Sequence, residues 1–517
     1  MNAALPIVTR AGFRKTADAA KHFAFPWTSD LGDGRYQNPV IYADYSDPDV
    51  IRVGKDFYLV ASSFNCTPGL PILHSTDLVN WRIINHALKN LPHPRYEKVQ
   101  PGCGVWAPAI RFHAGKFWIF FPTPDEGIYV VTADHPARKW SEPHLVQAGK
   151  GLIDPCPLWD DDGKAYLVHA YAGSRAGIKH RLRVCPMSPD GSQLLGEGAI
   201  IFHQPGKHPT LEGPKFYKHD GWYYILAPAG GVETGWQLAL RSKNIYGPYE
   251  DKIVLEQGDT NINGPHQGAL VDTPRGEWRF IHFQDAGVYG RITHLQPVEW
   301  RDGWPLMGNN SVPVRQCKKP VLIHKQKRFA PQTGDEFDGD KLGLQWQWHA
   351  NHRDNWHSLT ARSGWLRLFP QAATKPLNEQ PNLLLQKFPA RSFNVETGLQ
   401  LFALQSGEEA GLVVAGEKTV MFGIQYDGSK NWLVLRAEEK LEKIRSVSTH
   451  PVRLRVAVQD GGQFSFGFDD HGEFISVPGT FQATKGKWIG AKLGLYNIKT
   501  IVNAPAGHAD FDRFHFF

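Results

Sequence analysis

Three carboxylates stand in closely similar settings along the chain: Asp47 in SDPDV, Asp154 in IDPCP and Glu212 in LEGPK. Glycoside hydrolysis needs an acid that protonates a departing oxygen and a base that activates water, and in inverting enzymes the two sit roughly 6.5–9.5 Å apart. Any one of these residues alone reads best as a turn carboxylate satisfying nearby amides. Three in phase point to a shared site. Glu212 has the longer reach and is assigned as the general acid, with Asp47 as the base. Asp154 beside Glu212 would raise the acid's pKa by like-charge repulsion. The proline after Asp47 predicts extended geometry there, at the head of a strand.

His266 in HQGAL and Trp106 in WAPAI share the same phase. A lone histidine in a strand is more often packed or exposed than functional, but its phase places His266 with the carboxylates. Arg291 follows a glycine in VYGRI. Buried, its guanidinium could bind sugar hydroxyls or a carboxylate, or serve a structural ion pair. Trp106 and Phe64 offer flat faces for a sugar ring, whereas most other aromatics read as core.

These residues open five copies of one pattern: DPDVIRVGKDFYLVAS, WAPAIRFHAGKFWIFF, DPCPLWDDDGKAYLVHAY, EGPKFYKHDGWYYILA and HQGALVDTPRGEWRFIHF. Their starts lie roughly 50 to 60 residues apart, the period of a propeller blade. Apolar segments of four to eight residues bounded by Gly, Asp, Asn or Pro run from Tyr36 to Met307 and predict strands. STDLVNW and SKNIYGPYE read as connections at blade edges, and Asp160–Gly163 as a hairpin tip without the spaced ligands of a calcium loop. Past Met307 the repeat stops. WLRLFP, NVETGLQLFAL, AGLVVAG, MFGIQYD, WLVLRAE and VRLRVAVQD then alternate in and out, which argues for an antiparallel sandwich. The DEF and ADF motifs near its two ends suggest strands that pair. The expected division is a lead-in segment at 1–34, a catalytic propeller at 35–310, a linker at 311–330 and an accessory sandwich at 331–517.

The composition of the 517 residues, 41% hydrophobic and 21% charged, is that of a globular protein, and 12% aromatic suits strands and sugar-stacking faces. A net charge of +6 with only short basic runs such as KHRLR excludes a nucleic-acid stripe, and no stretch reaches membrane-spanning length. Five scattered cysteines, Cys66, Cys103, Cys156, Cys185 and Cys317, form no zinc or disulfide pattern and read as free thiols. The beginning MNAALPIVTRAGFRK lacks a secretory pattern, so a cytoplasmic location is expected. HExxH, GxGxxG, Walker and GxSxG motifs are absent from the sequence.

The segments NPVIYADYSDPDVIRVGKDFYLVASSF, LHSTDLVNW, GVWAPAIRFHAGKFWIFF, IDPCPLWDDDGKAYL, EGPKFYKHDGWYYILAPAGG, YGR and VEWRDGWP, in this order, resemble glycoside hydrolase family 43, in its two-domain β-xylosidase and α-L-arabinofuranosidase form. The resemblance implies an all-β chain: a five-bladed β-propeller followed by a concanavalin-like antiparallel β-sandwich, looser in its match over DEFDG, LGLQWQW and ADFDRFHF. It also implies an inverting mechanism with Asp47 as base, Glu212 as acid and Asp154 as modulator. Arg291 and Trp106 would contact the glycone. His266 would lie at the bottom of the pocket, where some members place a calcium ion; a structural calcium near His266 or in the sandwich is the one metal expected, and no cofactor is needed for the chemistry. The sandwich loop that narrows the pocket in such relatives would lie near Tyr496 to His508. The substrates implied are xylo- or arabinoxylo-oligosaccharides, with no nucleic acid or membrane partner and a homo-oligomer left open. The expected activity is exo-acting release of terminal pentose, xylose first and arabinofuranose second. The alternatives are arabinofuranosidase as the main activity and a non-catalytic carbohydrate-binding propeller. A fructan-cleaving propeller fits less well, because SDPDV lacks the Asn and Gly of that group's nucleophile motif.

Overall fold

The computed structural model describes residues 25–320 and 328–517, apart from 375, 439 and 471. Part of the expected lead-in and of the linker therefore lies outside the described residues. Five four-stranded antiparallel sheets, each built from consecutive strands, form the propeller. Their inner strands are Asp49–Val53, Ala109–His113, Leu152–Trp159, Lys215–His219 and His266–Asp272. Period-2 alternation on these strands sends one set of side chains to each neighbouring blade. Val60, Ile72, Ile110 and Ile119 pack between blades 1 and 2, and Val168, Val184, Ile225 and Leu240 between blades 3 and 4. Blade 5 meets blade 1 in the same way: Ala269, Ile281 and Leu295 pack on Val50, Leu59 and Leu73. Among the described residues no strand is exchanged to close the ring. Instead, Arg35–Gln37 pairs with Gln316–Lys318 as a separate clasp, and Tyr36 donates its hydroxyl to Leu295 O on blade 5 at 2.9 Å. STDLVNW and SKNIYGPYE join the third and fourth strands of blades 1 and 4, and Asp160–Gly163 is the hairpin turn of blade 3.

The C-terminal sheets face each other across one apolar core. Along Glu409–Ala415, Ala410, Leu412 and Val414 point into that core, while Val413 and Ala415 pack on the opposite face. The DEF segment meets the last strand as expected, through mutual backbone bonds of 2.8 and 2.7 Å between Asp335 and Phe514.

The two units are packed together. Tyr42, Tyr289 and Ile292 of the propeller belong to the sandwich core, and Thr67 pairs with Trp348 through backbone bonds. Asp44 forms a further tie: its two carboxylate oxygens accept the Arg291 and Gly490 amides, each at 2.9 Å. At that point the backbones touch, for a side chain on Gly490 would lie 2.6 Å from the Gly290 nitrogen.

Candidate active site

The heads of the inner strands surround a cavity of about 230 Å³ lined by Asp47, Phe64, Trp106, Asp154, Glu212, His266 and Arg291, so every residue expected at the site is there. Roles are a separate matter from position.

Asp47 is almost fully buried and tightly held. Its Oδ2 accepts from Ser46 Oγ at 2.7 Å and Ser62 Oγ at 2.5 Å, while Arg291 Nη1 lies 3.0 and 3.3 Å from its two oxygens. Arg291 Nη1 also reaches Ser46 Oγ at 2.8 Å. Its own backbone is fixed by Asp44, and its guanidinium lies 4.7 Å from the Phe283 ring. Removing either member of so buried a pair would leave an uncompensated charge.

Asp154 and Glu212 come from adjacent blades. The Gly213 amide, next to Glu212, donates to Asp154 Oδ2 at 2.7 Å and sets their approach. Burial first, and then the Glu212 charge, push the Asp154 carboxyl up to about 8. Glu212 is the more open of the two, with 28% of its side chain exposed, and its Oε1 lies 3.1 Å from His266 Nε2. A carboxylate oxygen there accepts a hydrogen bond from Nε2–H, which in a neutral ring leaves Nδ1 bare, and Nδ1 is buried without a partner among the described residues.

The backbone around the cavity departs from the extended geometry expected before proline. Asp47 and Asp154 have φ of 54° and 57°, and Phe64, Thr210, Gln267 and Trp488, also in the wall, have φ between 41° and 66°. Positive φ in non-glycine residues costs of order 1–3 kcal/mol each and persists where surrounding contacts over-determine it. Those contacts are visible: serines and Arg291 on Asp47, the Gly213 amide on Asp154, and two backbone bonds between Phe64 and Val105. The last pair needs Gly104, whose missing side chain would sit 2.1 Å from Phe64 O.

Sequence reasoning missed Trp488. It stands in the sandwich segment KGKWIG, between Phe481–Gln482 and Lys492–Lys499, and lines the cavity with its ring centroid 5.7 Å from the Arg291 guanidinium. This corrects the expected position of the loop. Tyr496 is wholly buried within Lys492–Lys499, and none of Tyr496 to His508 lines the cavity. The closing aromatic comes earlier, carried by the loop that Asp44 anchors through Gly490. Behind Trp488 a second space of about 550 Å³ extends between the two units and shares Arg291 and Trp488 with the first.

Among the described residues no group of three His, Cys, Asp or Glu side chains is placed to hold a metal ion. Calcium takes six to eight oxygen ligands. His266 offers a nitrogen and a neighbouring carboxylate, so these side chains do not fit a calcium ion at that position. The five cysteines are free thiols.

The family profile of the glycosyl hydrolases family 43 matches residues 36–305, and that of the beta xylosidase C-terminal concanavalin A-like domain matches residues 334–517. A beta-xylosidase of Formosa agariphila is 31% identical over 97% of this chain and 94% of its own. A non-reducing end alpha-L-arabinofuranosidase of Bacteroides ovatus is 32% identical over 75% of each chain. The crystal structure of a xylan beta-1,4-xylosidase from Bacillus halodurans superposes with a TM-score of 0.82 at 26% identity, covering 93% of this chain and 99% of that one.

Proposed function

Since the chain belongs to glycosyl hydrolase family 43 and is a glycosidase, we propose that it removes single terminal pentoses, β-D-xylose foremost, from xylo- and arabinoxylo-oligosaccharides with inversion. The observation that carries this reading is the convergence of Asp47, Asp154 and Glu212 on one small cavity walled by Trp106, Phe64 and Trp488. At about 230 Å³ it is smaller than the roughly 300–1,000 Å³ of pockets for drug-sized ligands, which suits one sugar ring rather than several.

In this reading the ring stacks on the aromatic walls and Arg291 binds a hydroxyl. Asp47, oriented by Ser46, Ser62 and Arg291, takes a proton from the attacking water. Glu212, the exposed member of its pair, gives a proton to the departing oxygen. Asp154 keeps that proton within the pair. The names of the Formosa and Bacillus relatives support xylose. The Bacteroides arabinofuranosidase supports arabinofuranose as a second substrate of the same pocket.

Proton NMR of the sugar freshly released from a β-xyloside tests the mechanism. The α-anomer should appear first; a first product of retained configuration would remove Asp47 from its role as base. A panel of 4-nitrophenyl pentosides ranks the two sugars.

A further inference from the structure

Next to the site lies a buried cation that the mechanism above does not use. Lys215 opens the inner strand of blade 4, three residues after Glu212, and is wholly buried. Among the described residues its ammonium has one hydrogen-bond partner, the Pro108 carbonyl at 2.7 Å. The path of the side chain follows from the backbone around it. The Gly213 amide bonds Asp154, and the Phe216 amide lies 3.2 Å from Cys156 Sγ, so the head of blade 4 lies against residues 154 to 156 of blade 3. Pro108 belongs to the head of blade 2. A side chain that starts on blade 4 and ends on blade 2 crosses in front of blade 3, whose head carries Asp154.

A buried ammonium is costly unless negative charge faces it. Asp47 has Arg291, and Asp49, farther down the axis, has Arg111 at 2.8 Å, over the Tyr217 ring. Cys156 Sγ takes Arg111 Nη2 at 2.7 Å, and Glu212 has the Nε2 of the His266 ring at 3.1 Å. Asp154 has a single amide donor and, among the described residues, no cation within ion-pair distance. Consistently, the Lys215 charge draws Asp154 down against burial and the Glu212 and Asp47 charges.

We propose that Lys215 is a positioning residue: its ammonium, anchored on Pro108 in front of the blade that carries Asp154, supplies the positive charge that Asp154 lacks and so sets the alkaline edge of activity. This rests on the roles given above to Asp154 and Glu212.

Two measurements on Lys215→Met test it. In protein labelled with ¹³C at the Asp and Glu carboxyls, the last titration of the pair should move up by about one pH unit, with no substrate needed. The alkaline limb of kcat/KM should move the same way, while Lys215→Arg, which keeps the charge, stays near the parent. A folded Lys215→Met enzyme whose carboxyl titration and alkaline limb both match the parent overturns the proposal and leaves Lys215 a packing residue. Should Lys215→Met not fold, Lys215→Gln, whose amide can still donate to Pro108, is read by the same criterion. A parent enzyme that hydrolyses no pentoside would instead sink the reading of the substrate as a pentoside, and the carboxyl titration would still decide the role of Lys215.

Discussion

Trp488 of the sandwich lies 5.7 Å from the guanidinium of Arg291, the same arginine that holds Asp47 in the propeller. One wall of the cavity is thus supplied by the second unit and rests on the Asp47–Arg291 ion pair of the first. With 39% of its surface exposed, Trp488 is available to a sugar ring. Trp488→Ala should raise KM for xylobiose about ten-fold, in line with the 0.5–2 kcal/mol of a cation–π contact plus lost stacking. Steady-state kinetics showing parental KM would remove Trp488 from the substrate's wall.

Glu212→Ala is expected to lose about 10²–10⁴-fold in kcat on xylobiose, the usual span for a general acid. It should lose far less on 4-nitrophenyl xyloside, whose leaving group hardly needs protonation. Equal losses on both substrates would take the acid role away from Glu212.

Asp47→Asn should fold, because asparagine tolerates the φ of 54° found there and can still accept from Ser62. Activity should fall below detection on both kinds of substrate. Stability should drop by about 3–5 kcal/mol, since Arg291 loses its buried counter-charge. Urea unfolding with an unchanged midpoint would show that the ion pair does not stabilise the fold.

Asp154 ties stability to pH in a defined direction. Its native pKa, up to about 8, stands above the unfolded value of 3.8, so between these pH values the native state holds a proton that the unfolded chain has released. The stabilisation from that proton is complete below the unfolded pKa and is lost as pH rises through the native one. Asp154→Asn, which needs no such proton, should melt higher than the parent at pH 8, with the difference shrinking toward pH 4. Melting curves that stay parallel across this range would contradict the shift.

Gly490→Ala should loosen the docking of the Trp488 loop, since the new methyl would meet the Gly290 nitrogen at 2.6 Å. Because that contact is backbone on backbone, the loop itself must shift. The expected result is a KM increase like that of Trp488→Ala, with the melting of the propeller little changed. A crystal structure of the variant with the loop in place would refute it.

The blade heads were legible because each joins a polar or aromatic residue to a proline or small residue before an aromatic strand, and this local signal repeats with the ring. The same signal misled in one respect. A proline after Asp47 or Asp154 predicts extended backbone, yet both residues sit at positive φ, because contacts from distant segments such as Ser62, Arg291 and Gly213 outweigh the local preference. Trp488 was invisible for a related reason: KGKWIG has no periodicity, and its position depends on Asp44, 446 residues away in sequence from Gly490. The family resemblance put the loop near Tyr496 to His508, later in the chain than Trp488. Lys215 reads as an ordinary strand residue in EGPKFYK, and its importance appears only when blades 2, 3 and 4 are brought together.

The anchoring of Gly490 by Asp44 also has a consequence for the order of events during synthesis. Domains fold as units from the N-terminal end as the chain emerges. The five blades can bring Asp47, Asp154, Glu212 and Arg291 together while the sandwich is still being made. The wall bearing Trp488 is encoded nearly 200 residues after Arg291, so a nascent propeller has its carboxylates in place while one side of the cavity is still open. The finished pocket waits for the sandwich, and a chain cut short before Trp488 would keep Asp47, Asp154 and Glu212 together and lack one wall of the cavity.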